Sequence, residues 1–340
     1  MYKRQGLVNA TLRRVSEKSR FEWLNILRSE NLSLDEELSI LHSHPLWVTR
    51  SLKQALQSEG SQSELELALE SDNIAPKINL VKLPGKDSSL EQSISKGEAS
   101  PIGYVLEQGD PSLLGGVSTG ALRVQDQGSQ LAALALERAK HPAKGETWLD
   151  LCAGPGGKAV LLAALAQQDG ATLTTNEVSE HRAKLVETAI RHSGFTAKQL
   201  QLDGRKLPKN LMFDRILLDA PCTGLGALRR RPESRWRKNA EDLKSLAALQ
   251  RELLIAAFSH LKVGGILAYV TCSPHPTETT AQVEWLLRTE KDSTLLDATK
   301  VLRELNPQLV LAEGRKTVQL WPHRNNTDAM FIALIQNSAE

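Results

Sequence analysis

With 340 residues the chain can hold one large domain and a smaller one. Its 42 basic and 40 acidic side chains leave a net charge of +2, so bulk charge does not mark it as a nucleic-acid binder. No apolar run reaches the ~18–20 residues of a membrane span and no apolar signal core follows the start, so a cytoplasmic chain with no membrane partner is expected. Cys152, Cys222 and Cys272 are too few and too far apart for a disulfide scaffold or a C-x-x-C zinc site, and no metal is expected.

Charge is unevenly spread along the chain. Residues 1–20 carry six basic side chains and one acid, whereas residues 30–100 carry six basic and twelve acidic ones. Residues 6–30 read as helix, with Leu7, Leu12, Val15, Trp23, Leu24 and Leu27 as candidate apolar positions. A second helix is expected over 46–58, and Ser63 is placed to cap a third. Ile78, Leu80 and Leu83 alternate with polar residues, as in a half-buried strand ending at Pro84-Gly85. Residues 85–120, rich in Gly, Ser and Pro, read as loops joining short elements, and the main boundary is placed near residue 120.

From Gln125 onward strands and helices alternate. A helix over 127–140 precedes a strand at Trp148–Leu151, the turn Gly154-Pro155-Gly156-Gly157 and a helix starting at Lys158. Further strands are expected at 171–175, 198–202, 213–218 and 266–270, with helices over 179–193, 241–261 and 278–289 between and after them. Two last strands, 317–320 and 330–335, suggest an antiparallel pair at the sheet edge. This order predicts an α/β fold, a doubly wound and mostly parallel sheet with helices on both faces. Such sheets bind ligands beyond the carboxyl ends of their strands. Cys152, Glu177, Asp203, Asp219, Cys222 and Cys272 all fall at that rim, and they include every cysteine of the chain.

Gly154-x-Gly156-x-x-Ala159 satisfies a loose dinucleotide fingerprint with Glu177 at a ribose-binding separation, so a nicotinamide-dependent dehydrogenase is one reading. Pro155 within the loop and two cysteines at the rim fit it poorly. S-adenosylmethionine, a nucleoside cofactor without a pyrophosphate, fits better. Glu177 would accept from its ribose hydroxyls and Asp203 from its adenine amino group, with the glycine turn against the methionine end.

The segments D-L-C-A-G-P-G-G-K (150–158), D-A-P-C-T-G (219–224) and T-C-S (271–273) resemble those of the Sun/NOP-type RNA 5-methylcytosine methyltransferases. Q-D-Q-G-S-Q (125–130), R-R-R-P-E-S-R-W (229–236) and T-D-A-M-F-I-A (327–333) match as well, so the resemblance covers residues 125–335 and is nearest the bacterial small-subunit rRNA branch. It implies a Rossmann-like methyltransferase domain over 121–340 and a monomer acting on RNA, most of all rRNA. Cys152, Ala153, Gly154, Pro155, Gly156, Gly157, Lys158, Glu177, Arg182, Asp203 and Asp219 would then hold S-adenosylmethionine.

Two thiols have a chemical reason. Cytosine C5 is a poor nucleophile until a thiolate adds at C6 and turns the ring into an enamine. The resemblance makes Cys272 that nucleophile and Cys222 the group that assists product release. Asp219 would support the extra proton on the base, and Lys158 would stabilise Asp219 or the thiolate. Such a thiolate needs a pKa below the ordinary ~8.5.

Arg229, Arg230, Arg231, Arg235, Arg237 and Lys238, offset by Glu233, give net +5 within ten residues, with Trp236 among them. Beside a base pocket this run suggests RNA phosphate contacts. G-L-V-N-A-T-L-R-R (6–14) is similar to the last helix of the family's helical RNA-binding domain, so residues 1–30 read as a remnant of it, with M-Y-K-R-Q (1–5) outside the match. Residues 31–120 occupy the place of a small α/β substrate module. T-C-S-P-H-P-T-E-T departs from the family's usual tail, since Glu278 matches and Thr279 does not. A non-catalytic RNA-binding or assembly factor on the same fold is the alternative from another class.

Overall fold

The computed structural model describes residues 2–339, so of M-Y-K-R-Q the first residue lies outside the described residues. The front of the chain is helical: α1 (Tyr2–Ser16), α2 (Arg20–Ser29), α3 (Leu34–Leu41), α4 (Leu46–Ser58) and α5 (Leu65–Ser71). The single helix expected over 6–30 is broken at Ser19. Its hydroxyl accepts from the Glu22 N–H while the Glu22 carboxylate accepts from the Ser19 N–H, a capping box that starts a new helix. Leu7, Leu12 and Val15 stay exposed, so those positions do not form a core. Ser33 and Glu36 repeat the capping box at α3, a helix the sequence reading did not foresee. Ser63 caps nothing; a 3-10 turn over Gln62–Glu64 leads into α5 instead. Helices α3–α5 bury Leu38, Val48, Leu52, Leu56 and Leu69 in one cluster with Leu225, Leu228, Trp321 and Ala329 from the far half of the chain.

Strands β1 (Ile78–Lys82), β2 (Ile94–Lys96), β3 (Gly103–Leu106) and β4 (Leu122–Val124) form an antiparallel sheet of order β2-β3-β1-β4. Two of these strands lie in the stretch expected as loops, where three or four residues are too few to show a period of two. The boundary expected near 120 falls one strand early, since Leu122–Val124 pairs with β1.

The second sheet is built from β5 (Thr147–Asp150), β6 (Thr172–Asn176), β7 (Lys198–Leu200), β8 (Phe213–Asp219), β9 (Leu261–Thr271), β10 (Ser293–Leu295), β11 (Val318–Gln319) and β12 (Phe331–Asn337). Its order is β10-β12-β9-β8-β5-β6-β7, with β11 beside β12. Strands β5–β9 run parallel and β10–β12 pair antiparallel. This is the doubly wound, mostly parallel architecture expected. One detail differs: β12 lies inside, and the short β10 forms the edge. Helices α6 (Gln127–Arg138), α7 (Gly157–Gln168) and α8 (Glu180–His192) cover one face, packing Leu131, Leu161 and Val186 over Trp148 and Leu217. Helices α9 (Ala240–Ser259) and α10 (Thr280–Thr289) cover the other, packing Leu253, Leu254 and Leu286 over Leu149, Ile216 and Leu267. Each such leucine withdrawn from water contributes about 1.5–3 kcal/mol. Strand order reverses at β5, between β6 and β8, so the crevice for a ligand opens at the carboxyl ends of those strands. Among the described residues no helix is long and apolar enough to cross a membrane, and no group of three or more His, Cys, Asp or Glu is placed to hold a metal ion.

Candidate active site

Strand β5 ends at Asp150, and the chain turns through Cys152–Gly156 into α7. Two glycines in this turn are sterically required. A Cβ on Gly154 would stand 2.3 Å from the Glu177 carboxylate, and Gly156 has φ 107° with Ala189 and Val186 3.2 Å from where its Cβ would be. Gly154 N–H donates to Glu177 Oε2 at 3.0 Å, Ser179 N–H donates to Oε1 at 3.0 Å, and the Arg182 guanidinium donates to the Gly154 carbonyl. The turn after β5 is thereby tied to the end of β6. Asn176, which sequence reasoning missed, adds a tie to β7: its amide donates to the carbonyls of Leu151 (3.1 Å) and Leu202 (3.0 Å).

A cavity of about 710 Å³ opens at this crevice and is lined by all six rim residues, Cys152, Glu177, Asp203, Asp219, Cys222 and Cys272. Gly154, Lys158 and Arg182 also line it, whereas Ala153, Pro155, Gly156 and Gly157 shape the turn without reaching the cavity wall. The convergence of residues from the ends of five strands follows from the parallel topology.

Cys222 and Cys272 arrive from the loops after β8 and β9, and their sulfurs lie 3.4 Å apart. Either sulfur can donate in this contact, which holds the Cys272 thiol below its ordinary pKa; burial and the Asp219 charge oppose this and the Lys158 charge adds to it. The same contact, and then burial, push Cys222 well up. Cys152 is driven up by burial and by the charges of Asp150 and Asp219, so it stays a thiol. The three cysteines are thus chemically unequal, and Cys272 is the one whose thiol is held below its ordinary range.

Lys158 Nζ donates to Asp219 Oδ2 at 2.8 Å. Burial disfavours the ammonium, but the charge and hydrogen bond of Asp219 outweigh it and hold Lys158 above its ordinary pKa. Asp150 is buried with neither carboxylate oxygen hydrogen-bonded, and burial, then the Asp219 charge, push it up to about 8. Asp203 caps the turn Gly204–Lys206, and the hydrogen bonds and charge of Arg205 hold it down at about 2. Glu177, Asp203 and Asp219 thus line the crevice with carboxylates. That donor set fits S-adenosylmethionine, whose sulfonium and ammonium are cationic and whose ribose offers hydroxyls.

The arginine run needs correction. Arg229 is buried and donates to Asp328 Oδ1 (2.9 Å) and Asp126 Oδ2 (3.2 Å). Arg235 is 2% exposed and donates to the Asp72 carbonyl (3.1 Å), the Ser43 carbonyl (3.1 Å) and Asn73 Oδ1 (2.8 Å). Neither can reach a phosphate, because both braces lie inside the protein. Arg230 pairs with Asp126 and Asp328 but still lines the cavity. Arg231, Trp236 and Arg237 are exposed, and Arg231 and Lys238 line the cavity mouth. Sequence reasoning assigned no role to Asp126 and Asp328, although each sits in a segment that carried the resemblance.

The family model described as 16S rRNA methyltransferase RsmB/F matches residues 138–336. A Mycobacterium tuberculosis protein named as a candidate methyltransferase is 43% identical over 98% of this chain and 72% of its own length. The ribosomal RNA small subunit methyltransferase B of Klebsiella pneumoniae is 32% identical over 86% of this chain and 66% of its own length. A solved methyltransferase homolog from Pyrococcus horikoshii superposes with TM-score 0.72 over 90% of this chain and 100% of that one; at 23% identity this shows the fold alone. These relationships leave no place for the dehydrogenase reading. The chain belongs to the 16S rRNA methyltransferase RsmB/F family, whose methyl donor is S-adenosylmethionine.

Proposed function

We propose that this rRNA methyltransferase modifies C5 of a cytosine in small-subunit rRNA, by way of a covalent bond between Cys272 sulfur and C6 of the base. The single observation that carries this reading is the pair of unequal thiols 3.4 Å apart in one cavity with the Lys158–Asp219 pair. A methyltransferase acting on an amino group needs no thiol, and an attack through one thiolate needs a second group to manage its departure.

In this mechanism the Cys272 thiolate adds to C6, and the displaced electron pair makes C5 nucleophilic while Asp219 supports the added proton on the base. S-adenosylmethionine supplies the electrophilic methyl group when bound. Once C5 carries the methyl, its proton passes to water in the open cavity, the C–H electron pair restores the C5–C6 double bond, and the C6–S bond breaks with its pair returning to the Cys272 sulfur as thiolate. The Cys222 thiol, 3.4 Å from Cys272, donates to the departing thiolate and stabilises it. Lys158 orients Asp219 and favours the thiolate form of Cys272. We assign Glu177, Asp203 and the turn at Gly154 to the cofactor. Arg231, Arg237 and Trp236 are assigned to the RNA, with Arg230 and Lys238 at the cavity mouth, where the base must be turned out of its stack. We assign catalysis to residues 121–340, and further RNA contacts to the segments before them.

Incubating each variant with rRNA and cofactor and running denaturing gels tests the roles. Cys222→Ala is expected to accumulate a protein–RNA adduct, and Cys272→Ala to form none. The reverse pattern would exchange the two cysteines. Absence of 5-methylcytosine on bisulfite mapping of rRNA treated with the wild-type enzyme would end the reading.

A further inference from the structure

Glu278 lies in the 3-10 turn between β9 and α10 and is fully buried. Its carboxylate is reached only by neutral donors among its hydrogen-bond partners. Thr223 N–H donates to Oε1 at 2.8 Å, Gln250 Nε2 donates to the same oxygen at 3.2 Å, and the Thr223 hydroxyl donates to Oε2. Its own backbone is fixed from the sheet, since the Tyr269 hydroxyl donates to the Glu278 carbonyl at 2.7 Å.

The positions of these partners matter more than their number. Thr223 directly follows Cys222, and its hydroxyl is 3.2 Å from the hydroxyl of Ser273, which directly follows Cys272. Gln250 also donates to the carbonyl of Pro221, the residue before Cys222, at 2.8 Å. On the other side the Gly226 N–H donates to the Cys272 carbonyl at 2.9 Å. One buried carboxylate therefore gathers both flanks of the Cys222 loop and seats them on the segment that carries Cys272. A buried carboxylate without a cation is costly to keep, and a packing role alone would be filled better by an apolar side chain.

We infer that Glu278 is a positioning residue for the two-thiol chemistry: by holding the Cys222 loop on the Cys272 loop it sets the sulfur–sulfur contact on which release of the methylated base depends. The inference rests on the mechanism above. It separates the two halves of the reaction, because the bond to C6 is made by Cys272, whereas release needs Cys222 at its side. The groups facing Cys222 are Cys272, Asp219, Tyr269 and Glu278, with Lys158 beyond Cys272. The charge of Glu278 adds to the Cys272 bond and burial in keeping the Cys222 proton in place.

Two variants and one gel test this. Glu278→Ala is expected to bind cofactor within about twofold of wild type, to lose about tenfold or more in multiple-turnover rate, and to leave a persistent adduct on denaturing gels. Glu278→Gln keeps an acceptor for the Thr223 N–H and removes the charge. It is expected to recover part of the turnover, with the alkaline limb of its rate–pH profile moved to lower pH because Cys222 now loses its proton sooner. Wild-type turnover and no adduct in Glu278→Ala would overturn the proposal, as would a Glu278→Gln profile that superposes on wild type. If Glu278→Ala does not fold, the Glu278→Gln profile decides alone. Failure of the underlying mechanism is distinguishable, because Cys222→Ala would then trap no adduct either.

Discussion

The loop 229–238 and the rim of the large sheet are both charged, and they use that charge in opposite ways. In the loop, Arg229 is consumed by Asp126 and Asp328, and Arg235 by carbonyls of the helical front. At the rim, Asp219 and Cys272 face the cavity, with Lys158 paired to Asp219 at 2.8 Å and open to the same cavity. A charge satisfied inside the fold contributes to stability and register. One left facing a cavity is kept for chemistry, at some cost to stability.

Variants that separate stability from rate would break or sharpen this contrast. The largest effect is expected from Cys272→Ala, which removes the proposed nucleophile: turnover falls by about 10⁴-fold or more, while the thermal midpoint stays within about 2 °C. A matching loss of stability would merge the two regions. Next comes Arg229→Ala, which leaves Asp126 and Asp328 buried and short of a cation; urea unfolding is expected to show a loss of about 3–5 kcal/mol, with turnover of the folded fraction little changed. Asp219→Asn should reverse that balance, lowering the rate by about 10²–10³-fold with a near-normal melting curve.

Lys158→Met is expected to move the acid limb of the rate–pH profile upward. The Lys158 charge favours the Cys272 thiolate, so without it the thiolate forms only at higher pH, and the rate at neutral pH falls by about tenfold. A limb that stayed in place would remove Lys158 from the thiolate's environment. The smallest effect belongs to exposed Arg237. Its change to Ala should weaken RNA binding a few-fold and reduce the salt slope by about 1, whereas an unchanged slope would make it a solvated charge.

The rim was legible in the sequence because topology is a strong constraint. Once strands and helices alternate, residues at successive strand ends must share one edge, which is why Cys152, Glu177, Asp203, Asp219, Cys222 and Cys272 come together. The braces were not legible. Arg229 meets Asp126 across 103 positions and Asp328 across 99, and no local pattern announces such a pairing. Glu278 was visible as a matching position without a role, since its importance comes from Thr223 and Gln250 on other elements. Strands β2 and β3 were missed for being short, and the break at Ser19 because its capping box lies within an otherwise helical stretch.

The cluster joining α3–α5 to Leu225, Leu228, Trp321 and Ala329 has a consequence for dissection of the enzyme. A fragment starting at residue 121 would expose those four apolar side chains to water. It would also strip Arg235, thirteen positions after Cys222, of its carbonyl and amide acceptors. The front helices therefore act as the missing wall of the catalytic unit. Trimming them for a minimal methyltransferase is expected to cost solubility and stability before it touches the thiols, which Glu278 holds from within residues 121–340.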